Sequence, residues 1–365
     1  MKICMLGDAG SVHIQRLAPG LAERGHEVHI VCHKPVDVPG ASVERFRVPP
    51  PSLRNPRRWH GRWRHYLRGL LDRFDIVNIQ FLWDWGFTPE IMQRGCVVAS
   101  AWGSDIVPPP GEGLPSPDAT ASCISLLRHA DAVTALGPTF AGIVAKFAGI
   151  DVDRVDVAPL GVDLVLFRPS EIVKRRETGP HRVGFFKGFR EVYGPTYLIR
   201  AIPIVLRDLP DTRFDLIGDG AQLSRCKSLA AEMGVDHSIQ WIPRQSHHRI
   251  PSWLSRWDLT VIPSVCEAFG VAALESSAMR VPVVASNVGG LPDTVRDGET
   301  GLLVPARSPE ALAEAIVALL NNTSRRRRMG EMGLEWVRTH YEWQHTLDQW
   351  EHAFRRALDR AAVMV

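Results

Sequence analysis

The sequence predicts an α/β protein built from two doubly wound domains. Short apolar runs alternate with helix-length segments along nearly the whole chain. The runs are apolar throughout, which is typical of strands covered on both faces, as in parallel sheets with helices on each side. The chain has 365 residues, and single hydrophobic cores stop growing at about 250–300 residues. Two domains are therefore expected.

The apolar runs locate the expected elements. In the first half of the chain, strands are predicted at 2–6, 27–32, 75–80, 96–101, 131–135 and 154–158. Helix-like segments lie at 11–24, 60–72, 119–129 and 138–147. In the second half, strands are predicted at 182–186, 213–217, 238–242, 258–263 and 281–285, with helices between them.

A change in composition marks the domain boundary. Residues 168–180 are polar, contain two prolines and a glycine, and show no period, which is typical of a linker. We predict one Rossmann-like domain over 1–167, a second over 181–340, and a C-terminal helix at 341–365 that packs back toward the first domain. Ligands of such sheets bind beyond the carboxyl ends of the strands, so the expected site is a cleft between the domains.

Composition argues against several classes of protein. The net charge of +3 does not indicate nucleic-acid binding. The six cysteines contain no CxxC pair and are expected to be small buried residues in a reducing compartment. No run reaches the roughly 18 apolar residues of a membrane span, and the N-terminus begins with a strand rather than a signal peptide. The expected location is the cytoplasm.

Two basic segments leave alternatives open. The segment 57–68 is basic and aromatic at near-helical spacing, and its apolar side chains fall on one face together with Leu70 and Leu71. Packing on the protein's own sheet is favoured, and a peripheral helix on anionic lipid is the alternative. The arginine run 325–328 is expected to be a solvated helix face rather than a site for an anionic partner.

The most informative stretch is 264–275, which follows a predicted strand and opens a helix. Gly270 has no side chain, so a ligand can approach the backbone closely. The N–H groups of Phe269, Gly270 and Val271 lie at the positive end of the helix dipole. Free amides in that position form a diphosphate site.

Two glutamates accompany this site. Glu267 and Glu275 are eight residues apart, a spacing that does not put them on one helix face. Glu267 is predicted in the loop before the helix, and Glu275 about one and a half turns into it. One carboxylate can serve a sugar at one end of a diphosphate, and the other a ribose at the far end. The alternative makes Glu267 a first-turn carboxylate and Glu275 a surface residue.

The stretch 264–304 is similar to the donor-binding segment of the family-4 glycosyltransferases, which have the GT-B fold. The matching motifs are Glu267, Gly270, Glu275, Pro282-Val283-Val284-Ala285, Gly289-Gly290-Leu291-Pro292 and Asp297-Gly298-Glu299-Thr300-Gly301-Leu302-Leu303-Val304. Asp293 stands where the family usually has Glu. The resemblance also covers Leu160-Gly161-Val162-Asp163, Gly218-Asp219-Gly220 and the first loop, 7–13.

The resemblance implies retaining transfer of a sugar from a nucleotide-diphosphate donor to a hydroxyl acceptor. The second domain would bind the donor and the first the acceptor, which can be a glycan, a lipid-linked saccharide or a metabolite. Glu275 would hold the ribose and Glu267 the donor sugar. No cofactor is expected, and the nucleotide sugar is the co-substrate. Metal independence is expected because two cations can stabilise the leaving diphosphate.

Those cations depart from the family pattern. The family usually carries Gly-Arg and then Lys-Gly some five residues later. Here Lys187 and Arg190 are the available cations, and Tyr193 stands where the lysine is expected. Both are predicted to bind the diphosphate, and the alternative is that they are exposed loop cations.

The first domain supplies the remaining candidates. Gly7 and Gly10 belong to a loop that, in the resemblance, approaches phosphate and acceptor. His13 is a catalytic candidate, with packing as its alternative, and Ser11 a helix N-cap. Asp105 is a catalytic candidate for binding a hydroxyl, and capping of the next helix is the alternative. Trp102 replaces a histidine that in many relatives touches the transferred sugar.

Trp83 and Trp85 can stack on an acceptor sugar, and core packing is at least as consistent with them. Two other functions stay open: a nucleotide-sugar epimerase of the same fold, and a non-catalytic nucleotide-sugar-binding partner subunit. Trp102 and the altered 187–193 segment favour the latter.

Overall fold

The computed structural model describes residues 1–46, 60–82, 87–107, 116–169 and 179–363. These residues form two compact units. The first holds the described residues up to Leu160 together with those from Thr346 onward, and the second runs from Gly161 to His345. The change of unit after Leu160 comes earlier than the predicted domain end at 167.

The first unit contains a seven-stranded parallel sheet in the order β3-β2-β1-β4-β5-β6-β7. Its strands are β1 Lys2–Leu6, β2 Glu27–Cys32, β3 Ala41–Arg45, β4 Ile76–Gln80, β5 Cys96–Ser100, β6 Ala132–Ala135 and β7 Val155–Val157. The helices are α1 Val12–Glu23, α2 His60–Arg73, α3 Pro89–Met92, α4 Pro117–His129 and α5 Pro138–Ala148.

The second unit contains a six-stranded parallel sheet in the order β10-β9-β8-β11-β12-β13. Its strands are β8 Arg182–Phe185, β9 Arg213–Ile217, β10 Ile239–Ile242, β11 Leu259–Ile262, β12 Val283–Ser286 and β13 Gly301–Val304. The helices are α6 Pro195–Asp208, α7 Leu223–Glu232, α8 Ile250–Leu254, α9 Val271–Ala278, α10 Leu291–Thr294, α11 Pro309–Leu320, α12 Thr323–His340 and α13 Trp343–Val363. From Thr346 onward, α13 belongs to the first unit.

The basic segment in α2 supplies core residues. Trp63 and Leu67 have no exposed surface, and Leu70 and Leu71 are buried. Arg62, on the same helix, is exposed. The apolar face is therefore occupied by the unit's own interior, as packing on its own sheet requires. Residues 57–59 lie outside the described residues.

The arginine run 325–328 is not a wholly solvated face, contrary to the prediction. Arg326 is 6% exposed. Its Nη1 donates to the carbonyl oxygens of Leu319, at 2.8 Å, and Leu320, at the end of α11. Its Nη2 lies 3.6 Å from Oδ1 of Asp258. The last carbonyls of a helix lack partners within the helix, so Arg326 stabilises the α11–α12 corner.

We expect Arg326→Met to lower the free energy of unfolding by about 2–4 kcal/mol. The carbonyl oxygen of Leu320 loses its side-chain donor, that of Leu319 keeps only backbone partners, and Asp258 loses a nearby positive charge. The matched control is Arg328→Met on the same helix, where the arginine is exposed; surface changes of this kind cost about 0.5 kcal/mol or less. Urea titration followed by circular dichroism measures both. Equal losses in the two variants would contradict the role of Arg326.

The remaining fold-level expectations concern cysteines and membranes. All six cysteines are free thiols; five are buried and Cys266 is half-buried. None of the helices in the described ranges has both the length and the apolar character that crossing a bilayer requires.

Candidate active site

The strongest candidate site lies at the carboxyl edge of the second unit's sheet. Strands β8 and β11 are neighbours there, and the chain order reverses between them. Ligands of doubly wound sheets bind at such a reversal point, beyond the strand ends. The loop after β8 carries Lys187, and the loop after β11 carries Glu267.

The loop after β11 ends in the start of α9. Gly270 is the N-cap residue, with φ +106°, and the helix begins at Val271. Among the described residues, no side chain caps this end. Within the described part of the chain, the backbone N–H groups of Phe269, Gly270 and Val271 have no recorded acceptor. The helix therefore presents free amides and the positive end of its dipole.

Two glycines, Gly289 and Gly290, pack against the backbone of the loop that carries Glu267. Gly290 N–H donates to the carbonyl oxygen of Glu267 at 3.0 Å. A Cβ on Gly289, whose φ is +51°, would lie 1.8 Å from that same oxygen. A Cβ on Gly290 would lie 2.3 Å from the carbonyl oxygen of Ala268. The Gly-Gly turn thus permits a backbone contact that any side chain would prevent.

Glu267 and Lys187 form a shielded ion pair. Lys187 Nζ lies 2.5 Å from Oε2 of Glu267, and the side chains are 13% and 12% exposed. The hydroxyl of Ser264 donates to the same oxygen at 3.2 Å. Burial by itself would lower the pKa of Lys187, but the charge of Glu267, aided by Tyr193 and Glu275, outweighs it and raises that pKa. Lys187 therefore carries a positive charge, and its carboxylate partner lies two residues before the first of the free amides.

Glu275 is a buried carboxylate whose partner among the described residues is His247. It is 7% exposed, so it is not a surface residue. His247 donates from Nε2 to its Oε1 at 2.7 Å. The His247 ring also contacts the Phe167 ring, with centroids 5.1 Å apart. Sequence reasoning missed His247, although its position in the loop after β10 was a usable signal.

The other predicted cation is placed differently. Arg190 is exposed, and its backbone precedes the 3₁₀ turn Glu191–Tyr193. The structure thus brings Lys187 and Glu267 together before the start of α9. Arg190 has the exposure that the alternative, an exposed loop cation, predicted.

The glycine loop of the first unit packs tightly at its own reversal point, between β1 and β4. A Cβ on Gly7 would lie 2.8 Å from Cδ1 of Ile14 and 2.9 Å from Cβ of Gln80. Gly10 N–H donates to Oδ1 of Asp8 at 3.0 Å. Ser11 caps α1, because its hydroxyl accepts from Ile14 N–H at 3.2 Å.

His13 lies in the first turn of α1, stacked on Trp102 with ring centroids 4.1 Å apart. Its Nδ1 is buried and has no hydrogen-bond partner among the described residues. Burial, and secondarily the charge of Arg16, lowers the pKa of His13 to about 4. The imidazole is therefore neutral at pH 7. Trp102 in turn stacks on Trp350, with centroids 5.8 Å apart.

Among the described residues, Asp105 caps no helix, contrary to the predicted alternative: the next described helix, α4, is capped by Ser116. It is 3% exposed. Its Oδ1 accepts from Gly103 N–H at 2.7 Å, and its Oδ2 accepts from Leu82 N–H at 3.1 Å. Burial raises the pKa of this carboxyl, and the amide donors only partly offset that effect. These contacts favour joining the loops after β4 and β5 over binding a hydroxyl. Trp83 and Trp85 lie outside the described residues.

Comparison with known proteins decides the family. The model "Glycosyl transferases group 1" matches residues 168–336, and "Glycosyltransferase Family 4" matches 10–166. A D-inositol 3-phosphate glycosyltransferase of Thermobispora bispora is 30% identical over 364 residues, which cover 87% of this chain and 83% of the relative. The chain belongs to glycosyltransferase family 4.

This family-4 glycosyltransferase also matches a D-inositol 3-phosphate glycosyltransferase of Nocardia farcinica, with 34% identity over 232 residues, 59% of this chain and 51% of the relative. The chain thus spans about half the length of the first curated relatives it matches. Among solved structures, Anabaena HepE in complex with UDP-glucose has a TM-score of 0.76 at 18% identity, covering 96% of this chain and 98% of that one. That likeness confirms the GT-B fold.

Proposed function

We propose that the protein is a retaining glycosyltransferase that moves a sugar from a nucleotide-diphosphate donor to a hydroxyl acceptor. The observation that carries the proposal is the uncapped start of α9, preceded within three residues by Glu267, which is paired with the charged Lys187. Free helix amides and an ammonium are together suited to a diphosphate. Arg190, being exposed, is free to add a second charge from the same loop.

The two glutamates then bind different parts of the donor. Glu275, buried and held at one oxygen by His247, keeps its other oxygen for a ribose hydroxyl. Glu267 lies before the helix, where it contacts Lys187, and accepts hydrogen bonds from hydroxyls of the donor sugar. The positive charges at the diphosphate stabilise the leaving group, so we propose that transfer needs no metal and no cofactor.

We assign acceptor binding to the first unit, with Gly7, Gly10 and His13 as the loop that meets it. A neutral His13 can donate or accept a hydrogen bond at a hydroxyl. Asp105 then acts by holding the loop after β5, whose Trp102 stacks on His13. For the retaining outcome, the acceptor hydroxyl attacks the sugar on the same face from which the leaving diphosphate departs. A phosphate oxygen of that diphosphate takes the proton of the acceptor hydroxyl. The free thiols support a reducing compartment, and we place the reaction in the cytoplasm.

The relatives suggest the first substrates to test. Two curated relatives are named for D-inositol 3-phosphate, and HepE is described with UDP-glucose. We therefore take UDP-sugars as first donors and an inositol phosphate as the first acceptor.

The test begins with a thermal-shift panel of UDP, GDP, ADP and their sugars, since a ligand of the folded state raises the Tm. Donors that bind are incubated with D-inositol 3-phosphate, and the anomeric configuration of the product is determined by proton NMR. Incubation of the donor alone detects an epimerase. The proposal fails if no nucleotide raises the Tm, or if the product is inverted. Nucleotide binding without transfer across a range of acceptors would indicate the non-catalytic subunit.

His247→Ala is expected to weaken nucleoside binding about 5- to 10-fold, because Glu275 loses the donor that orients it, a loss of about 1 kcal/mol or slightly more. His248→Ala is the matched control, since that neighbouring ring is exposed. Isothermal titration with UDP compares the two. If both variants bind like wild type, His247 does not orient Glu275.

A further inference from the structure

The ammonium of Lys187 is held by an aromatic ring as well as by a carboxylate. Its Nζ lies 4.3 Å from the centroid of the Tyr193 ring and 2.5 Å from Oε2 of Glu267. The attraction between an ammonium and the face of a ring grows when the pair is shielded from water. Because the Lys187 side chain is only 13% exposed, the ring contributes to where the charge is held.

The position of Tyr193 is fixed independently of Lys187. Gly194, with φ +61°, follows the ring, and a Cβ there would lie 2.0 Å from the carbonyl oxygen of Pro263. Val265 N–H donates to the carbonyl oxygen of Val192 at 2.8 Å. The turn that carries Tyr193 is therefore attached directly to the loop that leads to Glu267, and the ring projects from a backbone that is held in place.

The backbone that carries Lys187 is also fixed. A Cβ on Gly218, whose φ is +147°, would lie 2.5 Å from the carbonyl oxygen of Lys187. Phe189 N–H donates to the carbonyl oxygen of Asp219 at 2.7 Å. With both ends of the contact anchored, the long lysine side chain is the adjustable part, and the ring limits where its end can go.

We propose that Tyr193 is a positioning residue whose ring keeps the Lys187 ammonium at the donor diphosphate while Glu267 turns from that ammonium to the donor sugar. The inference rests on the proposed function. Without a donor, the ammonium neutralises Glu267. When a diphosphate binds, it competes with Glu267 for the ammonium, and the neutral ring holds the charge without competing for either partner. The family usually has a lysine at this position, which would add a second positive charge at the diphosphate. Tyr193 adds no charge and instead holds the Lys187 ammonium in place.

The proposal predicts a ligand-dependent effect. Because Lys187 meets the phosphates, loss of the ring should weaken the binding of a nucleoside diphosphate and leave the matching nucleoside unaffected. Tyr193→Leu is expected to weaken diphosphate binding about 5- to 30-fold. Tyr193→Phe keeps the ring and should remain within about 2-fold of wild type. A merely structural defect would weaken nucleoside and diphosphate binding together.

The experiment is isothermal titration of the full chain with UDP and uridine, GDP and guanosine, and ADP and adenosine, with the Tm of each variant recorded. The variants are Tyr193→Leu, Tyr193→Phe, Lys187→Met, and the exchanged pair Lys187→Met with Tyr193→Lys. The exchanged pair moves the cation to the support position, so it should recover part of the diphosphate affinity lost in Lys187→Met.

The outcomes separate the two proposals. If wild type binds a diphosphate and Tyr193→Leu binds it equally well, the role of Tyr193 is wrong and the proposed function stands. The role of Tyr193 is also wrong if Tyr193→Phe loses as much affinity as Tyr193→Leu, or if nucleoside affinity falls in parallel. If wild type binds none of the diphosphates, the proposed function is wrong and this inference falls with it.

Discussion

Substitution of Gly289 by alanine is expected to reduce donor affinity by about 100-fold or more, since a displacement of about 1 Å at a binding loop has effects of that size. The new Cβ would lie 1.8 Å from the carbonyl oxygen of Glu267, a separation that no two such atoms can adopt. The loop must move, and it carries Glu267 itself and leads into the amides at the start of α9. Titration with UDP, or with whichever nucleotide the thermal-shift panel identifies, measures the loss.

The matched control separates the contact from backbone strain. Gly234 also has positive φ, +68°, but a Cβ there would meet nothing within 4 Å. Alanine at either position adopts a left-handed conformation at a cost of about 1 kcal/mol. Gly234→Ala should therefore lower the Tm slightly and leave donor affinity intact. If Gly289→Ala also keeps its donor affinity, the Gly-Gly turn does not set the geometry of the site.

The sequence predicts the interior strands well because their physical signal is local. In the second unit, the runs at 213–217 and 258–263 correspond to β9 and β11 within a residue at each end. Both strands lie inside the sheet, and buried strands in parallel sheets are apolar along their whole length.

Edge strands show that signal unevenly: β7 and β10 were predicted, at 154–158 and 238–242, whereas two other edge strands were missed. β3 and β13 were not predicted, and both lie at the edge of a sheet. β3 contains no buried residue, and β13 begins with a glycine and is half-buried at its centre. Such strands are defined by hydrogen bonds to a neighbour rather than by an apolar run. No reading of their own residues could have distinguished them from loops.

Some features of the site could likewise be predicted from the sequence, and others could not. The free amides near Gly270 could be predicted because a strand, a glycine and a helix follow one another directly in the sequence. The pairing of Lys187 with Glu267 joins residues 80 positions apart, so it depends on β8 and β11 being neighbours. The burial of Asp105 among backbone amides is likewise a product of two converging loops. Residue types and spacing do not contain that information.

Glutamine in place of Glu267 is expected to lower kcat by about 100-fold, with a much smaller change in donor KM. The carboxylate is proposed to strengthen its contact with the donor sugar as charge develops, and an interaction made in the transition state appears in kcat. Glu275→Gln is the counterpart on the same segment. It should raise donor KM about 10-fold at nearly constant kcat, because its contact with the ribose is made equally in both states. Steady-state kinetics with varied donor separates the two.

The pH dependence of the Glu267→Gln variant provides an independent check through Lys187. In the wild type, burial lowers the pKa of Lys187, and the charge and hydrogen bond of Glu267, together with smaller contributions from Tyr193 and Glu275, more than offset this effect. Glutamine removes that charge and leaves the burial, so the pKa of Lys187 falls. Because an amine loses its charge as pH rises through its pKa, diphosphate affinity in the variant should decline at lower pH than in wild type. Glu275→Gln should shift the alkaline decline in affinity by less, since Glu275 contributes least among the groups that raise the pKa of Lys187. Identical alkaline profiles in wild type and Glu267→Gln would mean that the ion pair does not govern the charge at the diphosphate.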